Sequence, residues 1–230
     1  MTEINLKNIK KAYFIGIGGI GMSAVARMLL QEGKEVYGSD LSASHITEEL
    51  EKLGAHIHIG KPQATLPEDV DVVIYTVAIS DTHSEFVSAK AKNIPTISYP
   101  ESLGLISKDK FTIAIAGTHG KTTTTAMVAQ VLIDAGLDPT VIVGSLLKSG
   151  TNFIAGKSKY LVVEACEYKR SFLNIKPDIA IITNIDDDHL DYYKNLEGIQ
   201  KGFSEFLSGM KSGGVLVTNT DDKNIAPILS

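Results

Sequence analysis

The chain has 230 residues, 43% of them apolar, with a formal net charge of −5. That length suffices for one large or two modest globular domains, and the negative charge argues against broad nucleic-acid binding. No apolar run approaches the roughly 20 residues that span a membrane, and the N-terminus does not read as a secretory signal. A single cysteine, Cys166, excludes an internal disulfide framework, so we expect a cytoplasmic protein without a membrane partner.

Short apolar runs alternate with helical patterns along the chain. Strands are predicted at 12–15, 35–39, 56–59, 71–77, 94–98, 111–116, 140–143, 160–164, 178–183 and 215–218. This alternation predicts an α/β protein with doubly wound parallel sheets. The polar stretch 107–110 predicts a boundary between domains 1–107 and 108–230, each opening with a glycine-rich strand-to-helix turn.

The first glycine turn, GIGGIG at 16–21, follows the first predicted strand and matches G-x-G-x-x-G. Such glycines allow a tight turn in which a helix N-terminus meets a diphosphate. Asp40, at the end of the second predicted strand, could accept hydrogen bonds from a ribose hydroxyl or a base edge. A turn that only packs the helix on the strand is the alternative, and the motif alone does not say which nucleotide is bound.

The second glycine turn lies in AIAGTHGKTTTT, residues 114–125. A strict P-loop has a glycine five residues before Gly120, where this chain has Ile115. The functional half is present, because Lys121 could reach the β- and γ-phosphates and Thr122 could offer its hydroxyl to Mg²⁺. We therefore predict an ATP site, formed by Gly117, Thr118, His119, Gly120, Lys121, Thr122 and Thr123.

Two further side chains are candidates for holding the metal ion. Glu164 ends a predicted strand, and His189 follows the next strand within TNIDDDHLD. Both positions belong to the carboxyl edge of a parallel sheet, where α/β proteins bind ligands. An exposed strand-end carboxylate and a structural histidine are the alternatives.

Five stretches together resemble the Mur ligases of peptidoglycan synthesis: FIGIGGIGMSAVA, VYGSD, AIAGTHGKTTTT, GTNFIAGKSKYLVVEACE and TNIDDDHLDYY. They run in the family's order over essentially the whole chain, and G-T-x-G-K-T is the family's own form of the P-loop. The resemblance implies a Rossmann-like N-terminal domain that binds a UDP-sugar, followed by a P-loop-type parallel-sheet domain that binds ATP and Mg²⁺. It also implies that the second domain is incomplete and that a C-terminal domain, which binds the amino acid, is absent.

The resemblance is strongest to members that join L-alanine to UDP-N-acetylmuramate. It implies ATP-dependent amide formation, in which the muramoyl carboxylate takes the γ-phosphoryl group and L-alanine then displaces phosphate from the acyl phosphate. The residues implied for UDP-N-acetylmuramate are Gly18, Gly19, Ile20, Gly21, Met22, Ser39, Asp40, Thr76, Ala78 and Ile79. Those implied for catalysis are Lys121, Asn152 and His189, and those for the metal are Thr122, Glu164 and His189.

Some positions depart from the family pattern. Where the family often has E-A-D-E-S-D, this chain has EACEYK, so Cys166 and Lys169 replace carboxylates and leave no clear role for the segment beyond Glu164. The family's G-H near residue 60 is Gly60-Lys61.

Three other functions stay open at this point. An NAD-dependent oxidoreductase would use the first glycine turn and leave the second unexplained. A non-catalytic nucleotide-binding module would use both turns, and residues 1–230 alone are expected to be inactive if the amine-binding domain is missing. A sibling ligase would attach a peptide instead of L-alanine. The sequence does not predict the oligomeric state.

Overall fold

The computed structural model describes residues 4–147 and 150–229. The described residues form two compact units. The first runs to Leu105 and also includes Thr151–Phe153, and the second consists of Ile106–Gly150 and Ile154–Ser230. The division falls within a helix, Tyr99–Lys108, which begins before the polar stretch 107–110.

The first unit is built on a five-stranded sheet in the order β3-β2-β1-β4-β5. Its strands are β1 (Lys11–Ile15), β2 (Glu35–Asp40), β3 (His56–Ile59), β4 (Val72–Tyr75) and β5 (Thr96–Ser98). Every pairing between them is parallel. The central strands β1 and β4 are almost continuously apolar. A parallel sheet is covered on both faces, so the side chains that point to either face are buried.

Helices follow the strands of this unit in the order α1 (Ile20–Gln31), α2 (His45–Lys52), α3 (Ser84–Ala91) and α4 (Tyr99–Lys108). Helix α1 buries eight consecutive residues from Met22 to Leu29. Helix α2 begins with a capping box in which Ser44 and Thr47 exchange side-chain and main-chain hydrogen bonds, which satisfies two N–H groups at its start.

The second unit is built on a six-stranded sheet in the order β11-β10-β6-β9-β7-β8. Its strands are β6 (Phe111–Ala116), β7 (Thr140–Ile142), β8 (Phe153–Ile154), β9 (Tyr160–Glu164), β10 (Ile179–Ile182) and β11 (Val215–Thr218). Helices α5 (Lys121–Asp134), α6 (Leu190–Tyr193) and α7 (Leu196–Ser208) accompany them. The carboxyl ends of the central strands β6 and β9 lie side by side, since Ile115 pairs with Glu164.

The predicted α/β architecture is confirmed, and all ten predicted strands form with ends within two residues of their predicted limits. The two-residue strand β8 was missed, because so short a run carries no periodicity. The apolar residues of α5 do not all face the core: Met127 and Val131 are 64% and 66% exposed, while Val128 and Leu132 pack on the core. Thr125 and Ala129 occupy the buried face of this helix instead.

Candidate functional site

The first glycine turn connects β1 to α1. The N–H groups of Gly16 and Ile17 both donate to the carbonyl oxygen of Ser39, at 2.9 and 3.0 Å. Gly16 has φ +80°, and a Cβ there would lie 2.7 Å from Thr76 Cγ2. Glycine is therefore required at position 16 both for the backbone conformation and for the close approach of Thr76.

Asp40 closes this turn from the end of β2. Its Oδ2 accepts a hydrogen bond from the Gly18 N–H at 2.8 Å, and its Oδ1 accepts one from the Ser42 N–H at 3.3 Å. A Cβ on Gly18 would lie 2.9 Å from the same Oδ2. Asp40 thus orders the glycine turn as well as facing the space beside it.

That space is a cavity of about 520 Å³ at the carboxyl ends of the strands. It brings together six of the ten residues implied for the UDP-sugar: Gly19, Ser39, Asp40, Thr76, Ala78 and Ile79. It is also lined by residues that sequence reasoning did not assign, namely Leu41, Gly60, Pro62, Ser80 and His83. The Nδ1 atom of His83 is buried and has no hydrogen-bond partner among the described residues.

The other four implied residues lie outside the cavity lining. Gly18 contacts Asp40, and a Cβ on Gly21 would lie 2.4 Å from Tyr99 Cζ. Met22 is buried in the core of the unit, whereas Ile20 is partly exposed at the start of α1. These positions can meet a diphosphate through main-chain N–H groups at the helix N-terminus, since their side chains are absent or turned elsewhere.

A buried carboxylate, that of Glu85, positions one of the residues that line the cavity. Glu85, in the first turn of α3, is fully buried and accepts hydrogen bonds from the Tyr13 hydroxyl at 3.0 Å and the Ser39 hydroxyl at 2.6 Å. The Gln63 N–H donates to the same carboxylate at 3.3 Å. Burial and then the nearby Glu85 charge raise the pKa of Tyr13 far above its usual value, so this hydroxyl stays a donor. Glu85 therefore fixes the orientation of Ser39 beside the cavity.

Replacing Glu85 by Ala is expected to destabilise the first unit by about 2 kcal/mol, because the hydroxyls of Tyr13 and Ser39 lose their acceptor in a buried place. Hydrogen exchange of the amides of β1 and β2 measures this loss locally. Glu51→Ala, at an exposed position of α2, is the matched control and should leave that exchange unchanged. Equal protection in the Glu85 and Glu51 variants would contradict the structural role of Glu85.

The phosphate-type loop of the second unit follows β6 and ends where α5 begins at Lys121. Gly117 has φ +135° and Gly120 has φ +80°, conformations that side chains rarely adopt. A Cβ on Gly117 would lie 2.1 Å from Thr183 Oγ1. A strict P-loop has a glycine at the position of residue 115. Here Ile115 is a fully buried residue of β6, so the loop begins only after it and no glycine is needed at that position.

The loop is held by the segment after β10. The Thr118 N–H donates to the Asn184 carbonyl oxygen at 3.0 Å, and the His119 N–H donates to Asn184 Oδ1 at 2.9 Å. The Thr183 hydroxyl donates to the His119 carbonyl oxygen at 2.6 Å, and the Asp186 N–H to Thr118 Oγ1 at 2.8 Å. Asn184 and Thr183 were not singled out from the sequence, although they lie in the TNID stretch that was.

Lys121 uses all three of its ammonium hydrogens within the unit. Its Nζ donates to the carbonyl oxygens of Gly117 and Thr118, at 2.6 and 2.9 Å, and to Glu167 Oε1 at 2.9 Å. The Glu167 side chain is only 3% exposed. The segment beyond Glu164 therefore does contribute to the candidate site, through the carboxylate of Glu167.

Thr122 and Glu164 form a second pair beside the loop. The Thr122 hydroxyl lies 3.0 Å from each carboxylate oxygen of Glu164. The Gly144 N–H donates to Glu164 Oε2 at 2.7 Å, and a Cβ on Gly144 would lie 2.7 Å from Oε1. A hydroxyl and a carboxylate in this arrangement are the hard oxygen ligands that Mg²⁺ prefers.

His189 lies beside two other carboxylates, those of Glu167 and Asp188. Its Nε2 is 3.7 Å from Glu167 Oε1, and its Nδ1 is 3.8 Å from Asp188 Oδ1. Ligand atoms of Glu167, Asp188 and His189 all lie within 4.8 Å of one another, which is close enough for one metal ion. His189 has φ +51°, so the backbone is held in a strained conformation at this residue.

Asn152 lies in the part of the chain that packs with the first unit. It is fully buried, and its Nδ2 donates to the Ile20 carbonyl oxygen and, at 3.0 Å, to the Ser23 hydroxyl. Its Oδ1 is buried and has no hydrogen-bond partner within residues 4–147 and 150–229. The implied catalytic Asn152 therefore contacts the first turn of α1.

Two family models match the chain. Residues 11–111 match a model described as the Mur ligase family, catalytic domain, and residues 115–229 match the Mur ligase middle domain. The second match covers half of the chain. The chain belongs to the Mur ligase family.

Similar proteins extend this assignment. The chain is 48% identical over 227 residues to a protein of Clostridium kluyveri named UDP-N-acetylmuramate–L-alanine ligase. The aligned region covers 98% of this chain and 50% of that protein. A protein of the same name from Caldanaerobacter subterraneus subsp. tengcongensis is 48% identical over 229 residues, again with 50% of its length covered. This Mur ligase chain thus spans about half the length of the curated relatives it matches.

Solved Mur ligase structures share the fold. A UDP-N-acetylmuramate-alanine ligase from Thermotoga maritima matches with a TM-score of 0.82 and 35% identity, over 95% of this chain and 51% of that one. A UDP-N-acetylmuramate:L-alanyl-gamma-D-glutamyl-meso-diaminopimelate ligase from Neisseria meningitides matches with a TM-score of 0.86 and 28% identity, over 96% and 74%. Within the described residues of the Mur ligase chain, no helix combines the length and apolar character of a membrane span.

Proposed function

We propose that this chain carries the UDP-N-acetylmuramate-binding and ATP-binding parts of an ATP-dependent ligase that adds L-alanine. The observation that carries the proposal is the loop from Gly117 to Thr122, with Lys121 and the Thr122–Glu164 pair at the carboxyl edge of the sheet. Its relatives at 48% identity bear the name of that ligase. We also propose a cytoplasmic location, because the ligase consumes ATP and the one cysteine of these 230 residues, Cys166, cannot form a disulfide within them.

Each group in the second unit has a distinct role in this proposal. Lys121 binds the β- and γ-phosphates and spreads the charge of the transferring phosphoryl group, since such reactions depend mainly on positioning and electrostatics. The N–H groups at the start of α5 contribute the positive end of the helix. The remaining loop positions, His119 and Thr123 among them, complete the contact surface around the phosphates.

The oxygen ligands beside the loop fit Mg²⁺. The Thr122 hydroxyl and the Glu164 carboxylate would hold the ion, and it would neutralise charge on the phosphates when bound. Glu164 is kept in place for this by the Gly144 N–H at 2.7 Å. His189 would hold metal with the carboxylates that surround it.

In the first unit, the cavity of about 520 Å³ takes the UDP-sugar. The glycine turn and the start of α1 meet the diphosphate, while Ser39 and Asp40 face the uridine part. Asn152 would act near the first turn of α1, and its buried Oδ1 has no partner in the part of the chain that the structure describes.

Calorimetry with the chain itself tests this proposal. We expect binding of UDP-N-acetylmuramate at least tenfold tighter than binding of NAD, because the chain pairs its first glycine turn with a ligase-type second unit. Mg²⁺–ATP should bind independently of the UDP-sugar. Tight NAD binding without detectable binding of UDP or its sugar would contradict the assignment and favour an oxidoreductase.

A sibling ligase that adds a peptide is a second candidate. The TM-score of 0.86 with the Neisseria structure favours it, whereas the 48% identity to L-alanine ligases favours the first candidate. Ligation assays on the full-length protein distinguish the two candidates by which amine is consumed: L-alanine, or the L-alanyl-gamma-D-glutamyl-meso-diaminopimelate named for the Neisseria ligase.

A further inference from the structure

The side-chain hydroxyl of Ser39 has its only proton committed within the first unit. Ser39 lines the cavity of that unit, and its Oγ lies 2.6 Å from Glu85 Oε2. Glu85 is fully buried, and an ionised carboxylate only accepts hydrogen bonds. The Ser39 hydroxyl is therefore the donor in this bond, and it has no second proton to offer to a ligand.

The other contacts of Glu85 agree with this direction. Its Oε1 accepts from the Tyr13 hydroxyl at 3.0 Å and from the Gln63 main-chain N–H at 3.3 Å. Burial, and then the charge of Glu85, raise the pKa of Tyr13 far above its usual value, so Tyr13 keeps its proton and donates it. Three donors thus converge on one carboxylate, which accepts from each of them.

Towards the cavity, Ser39 can consequently only accept a hydrogen bond. A phosphate or carbonyl oxygen of a ligand would meet the lone pairs of Ser39 Oγ and be repelled, whereas an N–H or O–H group would be bound. Donation to a carboxylate also polarises the hydroxyl and makes its oxygen a stronger acceptor. Ser39 is only 4% exposed, so a ligand without a donor here would leave a buried acceptor unpaired.

We propose that Ser39 is a specificity-determining acceptor for an N–H or O–H group of the ligand, and that Glu85 is the positioning residue that sets this polarity. The inference rests on the proposed function in taking the ligand to be a uridine nucleotide. Such a nucleotide has donors in the uracil N3–H and in the ribose hydroxyls, whereas the diphosphate of a UDP-sugar has none. The nucleoside part of the ligand, and not its diphosphate, therefore lies beside Ser39.

Calorimetry with UDP, CDP, 2′-deoxy-UDP and 3′-deoxy-UDP tests the proposal and identifies the donor. CDP lacks the N3–H, and each deoxy analogue lacks one ribose hydroxyl. The analogue without the donor that faces Ser39 should bind the unsubstituted chain roughly tenfold more weakly than UDP. In Ser39→Ala that ratio of affinities should fall roughly tenfold, because the acceptor is gone and the two changes are coupled.

Glu85→Gln keeps the shape of the side chain and exchanges one oxygen for an NH₂ group. Two donors meet Oε1 and only Ser39 meets Oε2, so the amide oxygen is expected at Oε1 and the NH₂ group beside Ser39. Ser39 then accepts from the amide and turns its own proton towards the cavity. For an imide donor, the preference for UDP over CDP should fall below that of Ser39→Ala, because cytosine N3 is an acceptor. For a ribose donor, the preference for UDP should persist, because a hydroxyl can also accept.

Glu51→Gln, which neutralises an exposed carboxylate of α2, is the matched control and should leave all three ratios unchanged. Circular dichroism establishes that each variant is folded before titration. Ratios that are the same in the unsubstituted chain and in folded Ser39→Ala, for all three analogues, overturn the proposal. If the donor is the imide, an unchanged ratio in folded Glu85→Gln overturns the role of Glu85.

Failure of the proposed function gives a different result. If none of the nucleotides binds, the uridine assignment is wrong, while proton NMR still measures the polarity of Ser39 without a ligand. The unsubstituted chain should show a slowly exchanging hydroxyl resonance that is missing in Ser39→Ala. In Glu85→Gln this proton should exchange rapidly, because it turns towards the cavity, while the Tyr13 hydroxyl stays protected. A folded unsubstituted chain without the Ser39 resonance overturns the proposal.

Discussion

Lys121→Ala is expected to reduce ligation by the full-length protein at least about 10³-fold, the scale on which a single cation contributes to phosphoryl transfer. Binding of UDP-N-acetylmuramate should remain within about twofold, because the glycine turn and its cavity belong to the first unit. The measurements are ADP release with UDP-N-acetylmuramate, L-alanine and Mg²⁺–ATP, together with calorimetry of the UDP-sugar.

The same substitution should also lower the free energy of unfolding. This loss of stability must be distinguished from the loss of catalysis. Glu167 would lose its ion-pair partner in a buried place, at a cost of about 3–5 kcal/mol. Lys121→Ala/Glu167→Gln removes that unpaired charge, so it should recover most of the stability and none of the ligation. Turnover near that of the unsubstituted protein in either variant would show that Lys121 does not serve the phosphates.

Gly117→Ala is expected to destabilise the second unit by roughly 2–5 kcal/mol, the sum of backbone strain and overpacking. The added Cβ would lie 2.1 Å from Thr183 Oγ1 and 3.0 Å from the Asn184 carbonyl oxygen, in a backbone with φ +135°. Since Thr183 and Asn184 hold the loop, Mg²⁺–ATP binding should fall below detection. Urea denaturation and calorimetry of the chain measure both effects.

Gly136→Ala is the control for this substitution. Gly136 also has positive φ, +72°, but a Cβ there would meet no atom within 4 Å. It should cost only about 1–2 kcal/mol, from strain alone, and leave nucleotide binding intact. If both variants lost the same stability and both retained binding, the contact between Gly117 and the segment after β10 would not matter to the site.

The sequence was sufficient for the strands and for the loop because both depend on local patterns. Buried parallel strands such as FTIAIA are continuous apolar runs, and Gly120-Lys121-Thr122 has a fixed order along the chain. The sequence predicted Thr122, Glu164 and His189 as one set of metal ligands. The Thr122 hydroxyl lies 3.0 Å from the Glu164 carboxylate. The ion-pair contacts of His189 are instead with Glu167 and Asp188.

Glu167 and Glu85 could not be predicted in the same way. Each acts through partners distant in sequence, Lys121 for one and Tyr13 with Ser39 for the other. Nothing in their immediate neighbours distinguishes them from exposed carboxylates, since burial is decided by the packing of several elements. The outward position of Met127 and Val131 on α5 has the same cause, because a helical period does not say which face meets the sheet.

The pairing order of the second sheet has a consequence for how the chain folds. Strand β6 is central, yet its partners are remote: Phe111 pairs with Tyr160, and Ile113 with Ile179. In the first sheet, by comparison, the central β1 has one partner that is near in the chain, because Lys11 pairs with Glu35, and one that is remote, because Ala12 pairs with Val72. Closing longer loops costs more entropy before any contact is gained, so pairing on both sides of β6 is expected late in folding. The residues that hold the loop after β6 follow β10, so a chain emerging from the ribosome cannot assemble its phosphate site until the segment after β10 has been synthesised.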